Sequence, residues 1–279
     1  MKPSLNAWTF PASTNIAQMV REAAAVGFGA FEPVIAEQGE LTFTSSEQQC
    51  GQLARGVQDA GLEVASLASG VTWQYNLGSS DSGVQAKARD LILSALDRAA
   101  WLGAPVFLVV PAVVGGWRDA RPSTPYADAL SRCYDQFRRL AGEAEARGVA
   151  IGIENVLNRF LLSPVETREL VDRVNSPYVG VYFDTGNVMP FGYPQDWIDT
   201  LGGRILRIHV KDYRLGDGDR QGGGCPLGKG DVDWAAVITA LVRAGYDGPL
   251  TYEGPGEPKQ ICRKLQQIMA LAAPEPPSV

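Results

Sequence analysis

Along the whole chain, short apolar runs alternate with longer segments of helical periodicity, and the alternation repeats eight times. The apolar runs are Ser4–Phe10, Gly29–Ile35, Leu62–Ser69, Pro105–Pro111, Val149–Asn155, Val179–Asp184, Ile205–Lys211 and Pro249–Glu253, each followed by a helical pattern. Strand then helix, repeated, builds a parallel sheet, because a crossover helix carries the chain back to start the next strand in the same direction. Eight such units within 279 residues predict a single closed (β/α)8 barrel, an α/β fold, over an open doubly wound sheet. The expected limits are 1–272 for the barrel domain and 273–279 for a flexible C-terminal tail.

Local signals agree with this reading. Tyr126, Leu130, Cys133, Phe137, Leu140 and Ala144 step by 4, 3, 4, 3 and 4, which places one apolar stripe on a fourth helix. Trp234, Val237, Ile238 and Leu241 repeat the pattern in the seventh. Ser163-Pro164-Val165-Glu166 reads as a helix start, with a Ser cap, Pro at the first helical position and Glu placed to close a capping box. Glu154 and Asn155 then stand at the end of the strand before that helix.

Composition removes several function classes. The chain is 45% hydrophobic and 20% charged, enough apolar content for a large core. Its net charge is −6 with pI near 5.0, opposite to the basic face of a nucleic-acid binder. No apolar run reaches the roughly 18 residues of a membrane helix, and MKPSLNAWTF is not a secretory leader, so a cytoplasmic location is expected. Cys50, Cys133, Cys225 and Cys262 show no C-x-x-C spacing and read as reduced thiols. Neither G-x-G-x-x-G nor a P-loop is present to hold a nucleotide, and Gly222-Gly223-Gly224 reads as a flexible lid in a long loop.

In a barrel of this kind the active site forms at the carboxyl ends of the strands. The last four strand candidates end in Glu154-Asn155, Asp184, His209-Val210-Lys211-Asp212 and Glu253. Side chains alternate faces along a strand, so Glu154 opposes Ile153, Glu253 opposes Tyr252, and His209 opposes Ile208 and Val210. With the bulky residues facing the helices, three carboxylates and the only histidine of the chain are expected to meet inside one mouth. Acids gathered so closely raise one another's pKa values unless a cation neutralises them, which predicts one divalent metal. Oxygen donors with one imidazole suit Mn²⁺, the expected ion, or Mg²⁺ or Co²⁺, and the affinity order also admits Zn²⁺.

Further out, Glu32 ends the second strand on the interior parity, where either a substrate hydroxyl or a structural salt bridge is expected of it. Arg159, Arg214 and Lys229 are expected either as loop cations for an anionic substrate group or as solvated charges. Trp8, Trp73 and Trp117 are available as an apolar wall for a substrate, although packing is the commoner use of Trp.

The stretches Glu154-Asn155-Val156-Leu157-Asn158-Arg159-Phe160, Asp184-Thr185-Gly186-Asn187, Ile208-His209-Val210-Lys211-Asp212, Gly230-Asp231-Val232-Asp233-Trp234 and Tyr252-Glu253-Gly254 resemble the sugar isomerase/epimerase superfamily, whose barrels are xylose-isomerase-like TIM barrels. Nearest in pattern are the ketose 3-epimerases and the sugar-phosphate epimerases and isomerases. The resemblance implies that Glu154, Asp184, His209 and Glu253 hold the metal and that the two glutamates also serve as acid and base. It implies a small sugar or sugar phosphate as partner, with neither nucleic acid nor membrane, and it allows a homo-oligomer. Against the tagatose 3-epimerase branch the chain has Asn187 where that branch has His and Leu161 where it has Glu. The pattern is nearer to pentulose-phosphate 3-epimerases, which implies Lys211 as a contact to substrate hydroxyls or an enediolate oxygen; Asn187, Arg159 and Glu32 are the other expected substrate contacts.

The expected reaction is proton transfer beside a ketose carbonyl, with C3 epimerisation preferred over aldose–ketose isomerisation. The alternative is a lyase or dehydratase acting on a keto-inositol or 3-keto glycoside with the same metal and glutamate pair. Endonuclease relatives carry a three-zinc cluster rich in histidine, which a chain with one histidine does not supply.

Overall fold

The computed structural model describes residues 1–116, 123–216 and 222–271. The expected tail and Trp117 lie outside the described residues. Eight parallel strands form the sheet: β1 (Lys2–Asn6), β2 (Ala30–Glu32), β3 (Glu63–Val64), β4 (Val106–Val109), β5 (Ala150–Glu154), β6 (Val179–Asp184), β7 (Ile205–Val210) and β10 (Pro249–Tyr252). Their order is β3-β2-β1-β10-β7-β6-β5-β4. The ring closes just beyond β3, where Leu67 N–H donates to Val106 O (2.8 Å) and Leu67 O accepts from Leu108 N–H (2.9 Å). The predicted eight-unit α/β barrel is therefore the observed fold.

Helices follow each strand: α1 (Ile16–Ala25), α2 (Glu47–Asp59), the short α3 (Val71–Gln74) with α4 (Ser82–Leu102), α5 (Tyr126–Arg147), α6 (Pro164–Val174), α7 (Pro194–Leu201), α8 (Trp234–Arg243) and α9 (Pro258–Met269). The stripe predicted on α5 is buried at Cys133, Phe137, Leu140 and Ala144 and loosens at Tyr126 and Leu130, in the first turns. The Ser163 hydroxyl caps α6 by accepting from Glu166 N–H, with Pro164 in its first turn. Glu166 itself reaches one residue further back than a capping box requires, accepting from Leu162 N–H at 3.2 Å.

Strand alternation sorts the core into two compartments. Phe107, Val109, Ile151, Ile153, Val181, Phe183, Ile208 and Leu250 join the large cluster packed under the helices. Ala68, Val106, Leu108, Ala150 and Tyr182 fill the barrel interior. Gly152 makes room there, because a Cβ at that position would stand 3.0 Å from Tyr182 Cβ and Val106 Cγ1.

One irregularity decides where the histidine points. Val181 pairs with Ile205 but Tyr182 pairs with Arg207, so Leu206 is an extra residue in β7. Ile205 and Ile208 consequently face the same outer cluster although they are three residues apart. A strict period of two from Ile205 would have sent His209 outward, whereas the bulge re-aims it into the mouth in register with Asp184.

The stretch Gly222–Gly224, expected as a flexible lid, carries a short strand. β8 (Asp212–Arg214) pairs antiparallel with β9 (Gly223–Cys225), so Gly223 and Gly224 belong to a hairpin above the barrel. Asp212 anchors the segment that follows: its Oδ2 accepts from Gly228 N–H (2.7 Å) and Gly230 N–H (3.0 Å), and Trp234 Nε1 lies 3.4 Å away.

Phe107 is fully buried between barrel and helices. Phe107→Ala should cost about 3–5 kcal/mol of unfolding free energy, as large aromatic deletions in packed cores do. Urea unfolding checks this, and a loss under 1 kcal/mol would show that the helix layer is not packed as described.

Candidate metal and active site

Four strand ends bring Glu154, Asp184, His209 and Glu253 together, with one donor atom from each lying within 4.8 Å of all the others. Glu154 closes β5, Asp184 closes β6, His209 stands one residue from the end of β7, and Glu253 follows β10 directly. His209 is fully buried at the centre. Its Nδ1 faces Glu154 Oε1 at 3.2 Å and Glu253 Oε2 at 2.8 Å, while its Nε2 meets Glu32 Oε2 at 2.7 Å.

The carboxylates are aimed by their own local bonds. Asp184 Oδ1 accepts from Gly186 N–H (2.9 Å) and Asn187 N–H (2.8 Å), which turns Oδ2 toward the cluster. Asn155 clamps the ends of β5 and β6, donating from Nδ2 to Asp184 O and accepting from Asp184 N–H at Oδ1, both at 2.9 Å. Lys211 Nζ reaches Asp184 Oδ2 at 3.0 Å and Glu253 Oε2 at 2.8 Å. Its backbone is fixed by Thr185, whose hydroxyl donates to Lys211 O (2.8 Å) and accepts from Lys211 N–H (3.1 Å). Gly186 is required beside it, since a Cβ there would lie 2.8 Å from Lys211 Cβ.

These donors fit a metal. Asp184 Oδ2 and Glu253 Oε2 are buried without an aligned hydrogen bond, answered only by the charges of Lys211 and His209. Ligands bonded at about 2.1 Å to one ion stand no more than about 4.2 Å apart, so shifts of tenths of an ångström complete the shell. Three carboxylates, one imidazole and no thiolate form a hard, oxygen-rich set.

Without a metal, the electrostatics are strained. Burial raises the Glu154 carboxyl to about 7, with His209 pulling it down and the Glu253 charge pushing it up. Burial also works against Glu253, but the close positive charges of His209 and Lys211 bring it down to about 2. Burial disfavours a charged His209, yet Glu32 and Glu253 hold it well above its usual range.

The substrate contacts expected from sequence fare differently. Lys211 joins the cluster. Asn187 borders it, half-buried, with Nδ2 donating to Asn155 O at 3.0 Å. Arg159 is exposed on the loop after β5, in a left-handed backbone conformation (φ 57°). Glu32 has no exposed surface and both oxygens are engaged below the mouth, with His209 among the partners, which is the structural pairing expected as the alternative to a substrate contact. Lys229 is exposed, as is Arg214, whose nearest carboxylate is Asp231 at 4.0 Å. Trp8 and Trp73 are both about 40% exposed, and Trp8 lines a cavity of about 640 Å³ with Phe10, Val34 and Leu41. A second cavity of about 330 Å³ opens beside Lys211 and Glu253 under the β8–β9 hairpin, with Cys225 in its wall.

Sequence reading did not find Asn155, Thr185 or Asp212 as organisers of the site. An amide or hydroxyl at a strand end, next to a charged residue, was the available signal.

The Glu154 shift carries a sign for stability. Its carboxyl holds a proton in the native state up to about 7, against 4.5 in the unfolded chain, so the native state binds more protons between those values. Stability of the chelator-treated protein should therefore fall as pH rises from 4.5 to 7. Thermal melts across that range check it, and Glu154→Gln should flatten the fall.

A family profile described as Xylose isomerase-like TIM barrel matches residues 20–271. 2-epi-5-epi-valiolone 7-phosphate 2-epimerase of an Actinoplanes species is 29% identical over 226 residues, covering 81% of this chain and 77% of that one. A putative L-ribulose-5-phosphate 3-epimerase of Escherichia coli is 26% identical, covering 75% and 72%. Among solved structures, D-psicose 3-epimerase of Clostridium cellulolyticum superposes with a TM-score of 0.76 at 18% identity over 98% of both chains. Extent of match, barrel closure and the four convergent strand-end residues agree: this chain belongs to the xylose isomerase-like TIM barrel family.

Proposed function

We propose that the protein is a metal-dependent epimerase of a ketose or ketose phosphate that inverts C3 by removing and returning a carbon-bound proton. The observation that carries this reading is the convergence of Glu154, Asp184, His209 and Glu253 from four strand ends onto one point. The names of the two relatives given above, a 2-epi-5-epi-valiolone 7-phosphate 2-epimerase and a putative L-ribulose-5-phosphate 3-epimerase, support epimerisation of a small phosphorylated substrate. Mn²⁺ is the preferred ion. The four cysteines are free thiols and no described helix is long and apolar enough to cross a membrane, in keeping with a cytoplasmic enzyme.

Glu154, Asp184, His209 and Glu253 would hold the divalent cation, which when bound would supply Lewis-acid polarisation of the ketose carbonyl and its neighbouring hydroxyl and so acidify the carbon between them. The remaining work falls to the chain. Glu154 and Glu253 stand on strands separated by β6 and β7, so they flank a substrate lying across the mouth. Inversion needs two such groups, one to take the proton from one face and one to deliver a proton to the other. Lys211 Nζ, between Asp184 and Glu253, offers a donor to the oxygen on which negative charge develops.

The test is a screen of ketoses and their phosphates in D₂O with Mg²⁺, followed by proton NMR. Epimerised product should carry solvent deuterium at C3. Glu154→Gln and Glu253→Gln should each lower kcat by about 10²–10⁴-fold, since an amide does not take up a proton at neutral pH. Full activity in both variants would remove the acid and base roles, and an unsaturated or deoxy product would establish elimination instead.

A further inference from the structure

Beneath the mouth lies a closed polar network that the proposed proton transfer does not use. Glu32 is fully buried, and each oxygen of its carboxylate has two partners. Oε2 accepts from Asn6 Nδ2 at 2.5 Å and faces His209 Nε2 at 2.7 Å. Oε1 accepts from Ser66 Oγ at 2.6 Å and from Tyr182 OH at 2.5 Å. Asn6, Glu32, Ser66 and Tyr182 come from β1, β2, the segment after β3, and β6, so the network spans the barrel interior. The Tyr182 ring also packs on the imidazole, with centroids 4.5 Å apart at 54°.

We infer that Glu32 is the positioning residue of the metal centre: it holds the proton of His209 on Nε2 and thereby presents Nδ1, unprotonated, to the ion. The inference rests on the metal-dependent reading above. The two ring nitrogens are not equivalent here. Nδ1 faces Glu154 and Glu253, and Nε2 faces only the acceptor beneath it. A carboxylate already receiving three other donors accepts this hydrogen bond in one orientation. It fixes the tautomer and the ring plane together and increases the basicity of the nitrogen that binds metal. Ser66 and Tyr182 supply the hydroxyl donors that keep the carboxylate in place, and the Tyr182 ring limits rotation of the imidazole.

The experiment uses the fact that His209 is the only histidine of the chain, so ¹⁵N-histidine labelling gives one imidazole spectrum. Calorimetric titration of the wild-type protein with Mn²⁺ comes first, and no binding there would overturn the metal-dependent reading itself. With binding established, Glu32→Gln should weaken Mn²⁺ by about 10–100-fold. In the Zn²⁺-loaded wild type, the ¹⁵N spectrum should show a protonated Nε2 with a downfield, slowly exchanging proton. In Glu32→Gln that proton should move upfield and exchange faster. Should Glu32→Gln not fold in chelator, Tyr182→Phe removes one donor to Glu32 and should weaken Mn²⁺ several-fold with the same spectral trend. Wild-type affinity and an unchanged imidazole spectrum in the variant, or a metal on Nε2 in the wild type, would overturn the inference while leaving the metal site standing.

Discussion

One imidazole, buried to zero exposure, is contacted by three carboxylates from three strands, and the rest of the mouth is arranged to make that tolerable. Buried charge of one sign is costly, and charge pairs repay it only when geometry and further hydrogen bonds are good. Here the cost is divided between two levels. Below His209, Glu32 is neutralised by donors drawn from the barrel interior. Above it, Asp184 and Glu253 share the Lys211 ammonium and keep oxygens without aligned hydrogen bonds. The lower level is satisfied by protein groups, and the upper level leaves Asp184 Oδ2 and Glu253 Oε2 without aligned hydrogen bonds. That asymmetry supports the proposed metal site.

The barrel supplies this arrangement through alternation. Every strand that carries a ligand alternates an outer apolar residue with an inner one, so the same register that packs Ile153, Phe183 and Ile208 under the helices delivers Glu154, Asp184 and His209 to the interior. Folding and site construction are then one event for these residues. A one-residue slip in β5 or β6 would bury a carboxylate among the helices and expose an isoleucine or phenylalanine in the mouth. Stability therefore guards catalytic geometry without any residue dedicated to the task.

Legibility followed the same line. Glu154, Asp184, His209 and Glu253 were readable because parity near the strand ends is local and needs no knowledge of neighbours. The bulge at Leu206 was not readable, because a period of two cannot reveal an extra residue until the partner strand is known. Parity counted from Ile208, beyond the bulge, gives His209 its interior face, whereas parity counted from Ile205 does not. Glu32 was rightly put in the interior, but its depth relative to His209 depends on how β2 and β7 stagger across the barrel, which no single strand encodes. The β8–β9 hairpin is hidden for another reason: three residues rich in glycine carry no alternation that would mark them as a strand.

The division between strands and loops also bears on substrate choice. Reactive groups stand on strand ends and are fixed by the sheet. The surfaces that would touch the remainder of a sugar stand on segments with their own geometry: the turn carrying Trp8 after β1, the stretch from Val34 to Leu41 after β2, and the hairpin beside Cys225. The two curated relatives named above, similar to this chain at 29% and 26% identity, carry names that record different substrates. A fold that hosts one proton-transfer chemistry on fixed strands can change substrate by altering these loops alone. Among the described loop cations, Arg159, Arg214 and Lys229 are exposed, and Lys211 is committed to the acids of the cluster. Phosphate recognition, where it occurs, therefore draws on the loops and leaves the charge balance around His209 untouched.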